Sequence, residues 1–165
     1  MTITSHLAKT RLPIETPRLT LRLPTLRDVP ELRASLLDPR TARAVGAPLH
    51  AREEILNPRV MVTRTRREFR TGEHLSLSVV HRERGAVIGR VGLRGLIWPY
   101  RKVESLSYWI DPGSWNRGYA TEASYFLCRE GFERLGLRRI SSQALDRNTA
   151  SLRVLHRLGF VGRGS

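Results

Sequence analysis

Ser107-Tyr108-Trp109-Ile110-Asp111-Pro112-Gly113-Ser114-Trp115-Asn116-Arg117-Gly118-Tyr119-Ala120-Thr121-Glu122-Ala123 is the stretch that decides the fold. Tyr108, Trp109 and Ile110 are aromatic or β-branched, as the end of a buried strand prefers. Asp111-Pro112-Gly113 stops that strand. Gly118 and Ala120 keep the next turn free of bulk, and from Thr121 to Leu135 apolar residues return at helical spacing. A small-residue turn opening a helix leaves backbone N–H groups without partners, and the helix dipole favours an anion there. The segment reads as a strand, a turn and a helix mouth suited to phosphate; a purely structural turn fits the same residues. It is neither a GxxxxGK[ST] loop nor a GxGxxG fingerprint.

Working outward, Arg18 to Leu23 alternates polar and apolar residues and reads as a half-buried strand. Thr25 can cap a helix from about Leu26 to Asp38, with Asp28 at its start. Pro39 and Gly46-Ala47-Pro48 mark a loop. Ala51 to Thr71 reads as helical, interrupted near Asn57-Pro58 and closed by Gly72. Leu75 to Val80 and Ala86 to Leu93 flank Arg82 to Gly85 as a hairpin. Gly89 and Gly92 inside the second run signal a bulge or a close backbone approach. Val103 to Ile110 is a strand, Arg138 to Ala144 another, and Asn148 to Leu158 a helix. The order is β-α-α-β-β-β-α-β-α, a mixed α/β single domain.

The 165 residues suffice for one domain with a real core. Hydrophobic residues at 40% and charged residues at 27% give an ordinary globular balance. No apolar run approaches a membrane span, and residues 1–13 lack a signal-peptide core. The single Cys128 excludes an internal disulfide and a cysteine-cluster metal site, so the cytoplasm is the expected location. Cys128 lies among apolar residues and reads as a buried structural thiol. The net charge is +14, and only Lys9 and Lys102 are lysines. Genomic codon bias explains such an arginine excess; so does attraction to a phosphorylated cofactor, an acidic substrate or RNA. Arg64, Arg66, Arg67 and Arg70 form the densest cluster and read as a solvated helix face.

None of His6, His50, His74, His81 and His156 has ligand spacing, and His81 and His156 read as surface or capping residues. Chemistry must then come from positioning, backbone donors, carboxylates and hydroxyls. Glu104, on the strand leading into the turn, is the candidate base, directly or through water; pairing with an arginine on an exposed strand is its bland alternative. Glu122 in the first helical turn needs only a helix-dipole role. Asn148 and Ser151 open the last helix, where Asn148 capping that helix is the competing reading.

Taken together, several motifs resemble the GNAT acetyltransferase superfamily, in the branch of ribosomal-protein-alanine N-acetyltransferases. They are residues 14–22 (Ile-Glu-Thr-Pro-Arg-Leu-Thr-Leu-Arg), Tyr108 to Pro112, Trp115 to Ala123, Asn148 to Ser151, and Leu158-Gly159-Phe160. The resemblance covers about residues 14 to 162. It implies a mixed, mostly antiparallel central sheet flanked by helices, with residues 1–13 as a flexible leader and 14–165 as the acetyltransferase domain. Family members continue with two further strands after the Gly-Phe element; by that comparison those C-terminal strands are missing and the domain is incomplete at that end.

The resemblance also implies acetyl-CoA as co-substrate and no metal. Backbone N–H groups of Asn116, Arg117, Gly118, Tyr119, Ala120 and Thr121 would cradle its pyrophosphate, with Arg117 adding charge. The backbone of Trp109 and Ile110 would bond the pantetheine arm, Asn148 would bond the cofactor, and Ser151 would lie near its sulfur as proton donor. The tyrosine that many relatives use for that step is absent. The implied reaction is direct acetyl transfer to a primary amine, a protein N-terminus in the leading reading. A small-molecule amine (antibiotic, polyamine or amino-acid derivative) is the rival, and a non-catalytic basic RNA- or ribosome-binding protein is a rival of another class. Trp98-Pro99-Tyr100 is apolar; acceptor-cleft wall, homodimer contact and plain surface packing all fit it. Ribosome association stays open, and no membrane partner is expected.

Overall fold

The computed structural model describes residues 4–45, 57–144 and 146–163. Six strands form one sheet in the order β1 to β6: β1 (Ile14–Glu15), β2 (Leu19–Arg22), β3 (His74–His81), β4 (Val87–Ile97), β5 (Lys102–Ile110) and β6 (Arg139–Ile140). Neighbours pair antiparallel except β5 and β6, which run parallel. The sheet is therefore mixed and mostly antiparallel, flanked by helices in a single α/β domain, as the resemblance implied.

The helices are α1 (Thr4–Leu7), α2 (Val29–Leu37), α3 (Pro39–Val45), α4 (Pro58–Thr71), α5 (Tyr119–Glu133) and α6 (Thr149–Arg157). Both sheet faces are covered, so β3 carries an almost unbroken buried run. On one face, α5 sets Ala123 and Leu127 against the main core with Leu93 and Leu106. On the other, α2 and α4 bring Val29, Leu32, Met61 and Val62 onto Val80 and Val87, with Trp109 packed beside them. These two helix layers define the two sides of the site.

Several boundaries differ from expectation. Pro39 opens α3 rather than a loop, since proline fits a first helical turn. The expected helix from Leu26 divides into a 3-10 turn (Leu26–Asp28) and α2, because Pro30 is tolerated only in the first turn of α2. Of the expected 51–71 helix, α4 occupies Pro58–Thr71; residues 51–56, like the 46–48 loop and His50, lie outside the described residues. The loose-leader reading fails at Leu7, which is fully buried in the main core, and at His6, whose ring stacks on Trp98 at 4.4 Å. Arg64, Arg66, Arg67 and Arg70 do form an exposed helix face. No helix among the described residues is long and apolar enough to cross a membrane.

Candidate functional site

The mouth of α5 is left open. Gly118 precedes the helix at φ 79°, a left-handed conformation that favours glycine, and no side chain caps the first turn. The starts of α4 and α6 are capped by side chains: Asn57 accepts from the N–H groups of Arg59 and Val60, and Asn148 from that of Ser151, whereas α2, like α5, has no side-chain cap. Among the described residues, the N–H groups from Asn116 to Thr121 meet no protein acceptor. Aligned free donors at a helix N-terminus fit a phosphate, so the residues present suit the diphosphate of a coenzyme A thioester.

The mouth is held by contacts far apart in sequence. Glu122 accepts from Thr16 Oγ1 (2.7 Å), from Arg18 N–H (2.9 Å) and from Arg18 Nε (2.7 Å). Burial alone would raise the Glu122 carboxyl, but these donors hold it below the ordinary carboxylate range. Arg18 Nη1 donates to the Arg117 carbonyl (2.8 Å), and its guanidinium covers the Tyr119 ring at 4.4 Å. Behind that ring, the Tyr119 hydroxyl lies 3.0 Å from His81 Nε2. His81 Nδ1 accepts from Arg84 N–H, so Nε2 carries the proton and donates to Tyr119. Of the two roles expected for His81, surface or capping, the first fails because it is buried, and the second is met by its bond from Arg84 N–H; it also braces the mouth, and Glu122 does more than answer the helix dipole.

Beside the mouth, β5 and β6 part. Ser141 N–H donates to the Val103 carbonyl (3.1 Å), and Leu106 N–H donates to the Ser141 carbonyl (2.7 Å). A regular parallel ladder would separate those β5 positions by two residues; the three observed mark a bulge. Leu106 therefore turns its N–H and carbonyl toward β6, its carbonyl accepting from Ser142 Oγ at 2.8 Å. Alternation along the strand sends the backbone groups of Tyr108 and Ile110 to the same edge. The Ile110 carbonyl is taken by Trp115 Nε1 at 2.7 Å. The N–H groups of Tyr108 and Ile110 are left facing the gap. Trp109 points its backbone the other way: a Cβ at Gly89 would strike the Trp109 carbonyl. Of the two expected backbone positions, Ile110 faces the gap and Trp109 does not; Tyr108 takes that place.

The far wall of the gap is α6. Ser151 Oγ donates to the Tyr108 hydroxyl (3.0 Å), which donates to the Ser151 carbonyl (3.1 Å). Burial pushes the Tyr108 phenol upward, partly offset by the Ser151 hydrogen bond. Asn148 caps α6 through Oδ1 and donates from Nδ2 to the Ala44 carbonyl of α3 (2.9 Å). Its capping role is realised, and it ties α3 to the gap.

A cavity of about 900 Å³ joins these parts, within the usual size of a ligand pocket. Trp109, Ile110, Asn116, Gly118, Tyr119, Ala120, Thr121, Asn148 and Ser151 all line it, with Tyr108 among the residues that sequence reasoning missed. Arg117 and Glu104 do not line it. Glu104 is exposed, and its side chain lies over Gly95 at the other end of β5. The charged side chains lining the cavity, among the described residues, are Arg147, Arg153 and Arg157; no carboxylate or imidazole joins them. Their charge suits phosphates, and no motif announced them. Trp98 is buried, donates to the Gly72 carbonyl (3.0 Å) and does not line this cavity. Cys128 is buried and its thiol is pushed up to about 11, which leaves it inert at neutral pH.

Comparison with known proteins agrees with this geometry. Residues 18–161 match the acetyltransferase (GNAT) domain family. The uncharacterized N-acetyltransferase YoaA of Bacillus subtilis (strain 168) is 29% identical over 151 residues, spanning 92% of this chain and 84% of that protein. A Vibrio cholerae protein named as a ribosomal-protein-serine acetyltransferase superposes with a TM-score of 0.74 at 26% identity, covering 96% of this chain and 84% of that one. An acetyltransferase of Agrobacterium tumefaciens str. C58 superposes with a TM-score of 0.71 at 27% identity, covering 88% and 81%. The chain belongs to the GNAT acetyltransferase family, whose members use acetyl-CoA.

Proposed function

We propose that the protein moves the acetyl group of acetyl-CoA directly to a primary amine, a protein N-terminal α-amino group. The observation that carries the reading is the uncapped mouth of α5 beside the unpaired N–H groups of β5. The acetyl thioester supplies the activated acyl group. The N–H groups from Asn116 to Thr121 hold the diphosphate, and Arg147, Arg153 and Arg157 add positive charge along the cavity wall. Tyr108 N–H, facing the gap, is the donor for the acyl oxygen, the kind of preorganised donor that contributes about 3 kcal/mol elsewhere. The amine nitrogen forms the C–N bond as the C–S bond breaks. The amine gives its proton to water at the cavity mouth, because the described lining holds no carboxylate or imidazole. The Ser151–Tyr108 hydroxyl pair is the proton source on the thiol side.

Support for a protein acceptor comes from the Vibrio cholerae protein, whose name gives a ribosomal-protein serine as its target. Calorimetric titration with acetyl-CoA should show one site. Thiol release should be faster with N-terminal peptides of ribosomal proteins than with polyamines or aminoglycosides. Absence of acetyl-CoA binding removes the whole reading. Faster turnover of small amines than of every peptide removes the protein acceptor.

A further inference from the structure

The sheet face opposite α5 and α6 carries a polar row that the acetyl-CoA reading does not use. Arg90 on β4 pairs in register with Trp109 on β5, Gly92 with Ser107, and Arg94 with Ser105. Trp109, Ser107 and Ser105 all line the cavity. Arg90 and Arg94 therefore stand one strand beyond the cavity wall, about 5 Å away at the backbone. Between them Gly92 is closely overlaid by two hydroxyls: a Cβ there would meet Ser76 Oγ at 2.9 Å and Ser107 Oγ at 3.4 Å, so the row between the arginines is polar. This face looks toward α2 and α4, away from the α5 mouth that suits the diphosphate.

Among the described residues, no carboxylate forms an ion pair with Arg90. The Arg90 Nη2 donates to Thr65 Oγ1 of α4 at 3.1 Å, while its enclosed Nε has no hydrogen-bond partner. The two nearest carboxylates are committed elsewhere. Asp28 accepts both Arg22 nitrogens at 2.8 Å, together with Thr25 N–H and Ser78 Oγ. Glu68 accepts from Arg64 Nε at 2.9 Å. Burial, with the positive charge of Arg94, lowers the Arg90 guanidinium to about 10, although the charges of Glu68 and Asp28 pull the other way. A half-buried guanidinium whose enclosed Nε lacks a partner costs stability, and its planar fork suits a carboxylate.

We propose that Arg90, with Arg94 beside it, anchors a carboxylate carried by the acceptor amine. The inference rests on the acetyl-transfer reading of the cavity and names the class of acceptor. The amine would enter from the α4 side with its nitrogen toward the β5 edge and its carboxylate on the β4 row. The carboxylate has two sources, the α-carboxylate of an amino-acid-like acceptor or an acidic side chain near a peptide N-terminus.

The experiment uses the full chain with two matched acceptor pairs. One is L-alanine against L-alaninamide; the other is Ala-Glu-Ala-Ala-amide against Ala-Gln-Ala-Ala-amide. Initial rates are measured with acetyl-CoA, and the Arg90 Nε–H resonance is followed in CoA-loaded, ¹⁵N-arginine protein, assigned by its loss in Arg90→Lys. In at least one pair the carboxylate member should react at least tenfold faster and shift that resonance, while its amide does neither. The pair that responds identifies the source. In Arg90→Gln the preference should fall to within about threefold of unity, and Arg94→Gln should reduce it less. If neither carboxylate shifts the resonance or exceeds its amide, the inference is overturned. It is overturned equally if Arg90→Gln and Arg94→Gln, folded by thermal melt, keep the full preference. Acetyl-CoA titration of the same samples separates this failure from failure of the acetyl-transfer reading, which alone predicts that binding.

Discussion

The Tyr108 hydroxyl accepts a hydrogen bond from Ser151 Oγ at 3.0 Å and donates its own proton to the Ser151 carbonyl at 3.1 Å. The two hydroxyls are 43 residues apart and form a closed pair at the cavity wall. At rest Ser151 gives its proton to Tyr108, so rotation of the Ser151 hydroxyl is what exposes a donor to the gap. Removing either member should slow transfer more than it weakens binding. We expect Tyr108→Phe and Ser151→Ala each to lower kcat by about 10²-fold, the lower range for a positioned proton donor. The Kd for acetyl-CoA should stay within about threefold, since the anion donors lie on α5. Burial raises the Tyr108 phenol above its ordinary value of about 10, so the pair keeps its protons through neutral and moderately alkaline pH. A wild-type kcat that falls with ionisation of Tyr108 below pH 9 would contradict this.

Gly118→Val tests the helix mouth. The position has φ 79°, and a Cβ there would meet only Arg18 Nη2, at 3.5 Å. The cost is therefore backbone strain rather than collision, about 1–2 kcal/mol for a residue forced into the left-handed region. A β-branched residue relieves that strain by moving the turn, which misaligns the N–H groups. Acetyl-CoA affinity measured by calorimetry should drop at least about 30-fold while the protein still melts cooperatively. Unchanged affinity would remove the mouth as the diphosphate site.

Asp28→Asn tests the link between α2 and the sheet. Asp28 is 2% exposed and bonds Arg22, Thr25 and Ser78 together. Burial would raise its carboxyl, yet the Arg22 fork and the Thr25 N–H hold it below the ordinary range. A lowered carboxylate stabilises the fold above the unfolded value of about 3.9 and ceases to do so as pH falls through the folded value. Asp28→Asn should cost about 3 kcal/mol in urea unfolding at pH 7, the lower end for breaking a buried pair, because Arg22 is partly exposed. The gap between wild type and variant should narrow at pH 3. An equal gap at both values would show that the charge is not what Asp28 contributes.

Glu104→Gln separates sequence expectation from geometry. Glu104 lies away from the cavity lining, above Gly95. Its replacement should leave kcat within about twofold, since general-base assistance would be worth about 10² or more. A loss beyond about tenfold with unchanged acetyl-CoA affinity would return Glu104 to the role of base.

Much of the fold was legible in local patterns. The β3–β4 hairpin lies where its turn residues placed it, and α5 begins at the glycine turn that the quoted stretch announced. These features depend on the conformational preferences of a few adjacent residues. Pro39 is ambiguous in the sequence because proline both ends a loop and begins a helix, and the chain context that distinguishes them is tertiary. The burial of Leu7 is not legible in residues 1–13, because a short segment acquires a burial pattern only from the sheet it covers.

The site divides along the same line. The amino-acid pattern alone determined the strand, turn and helix mouth from Ser107 to Ala123, with Gly118 at its hinge, because backbone sterics act within a few residues. Only tertiary structure decided what stands around that mouth. The brace from Arg18 to Glu122 spans 104 residues, and the hydroxyl pair joins β5 to α6. The open β5 edge depends on where β6 departs, and the setting of Arg90 depends on which partners Asp28 and Glu68 already hold. Sheet register and helix packing set those distances, and neither is encoded in any short run of residues.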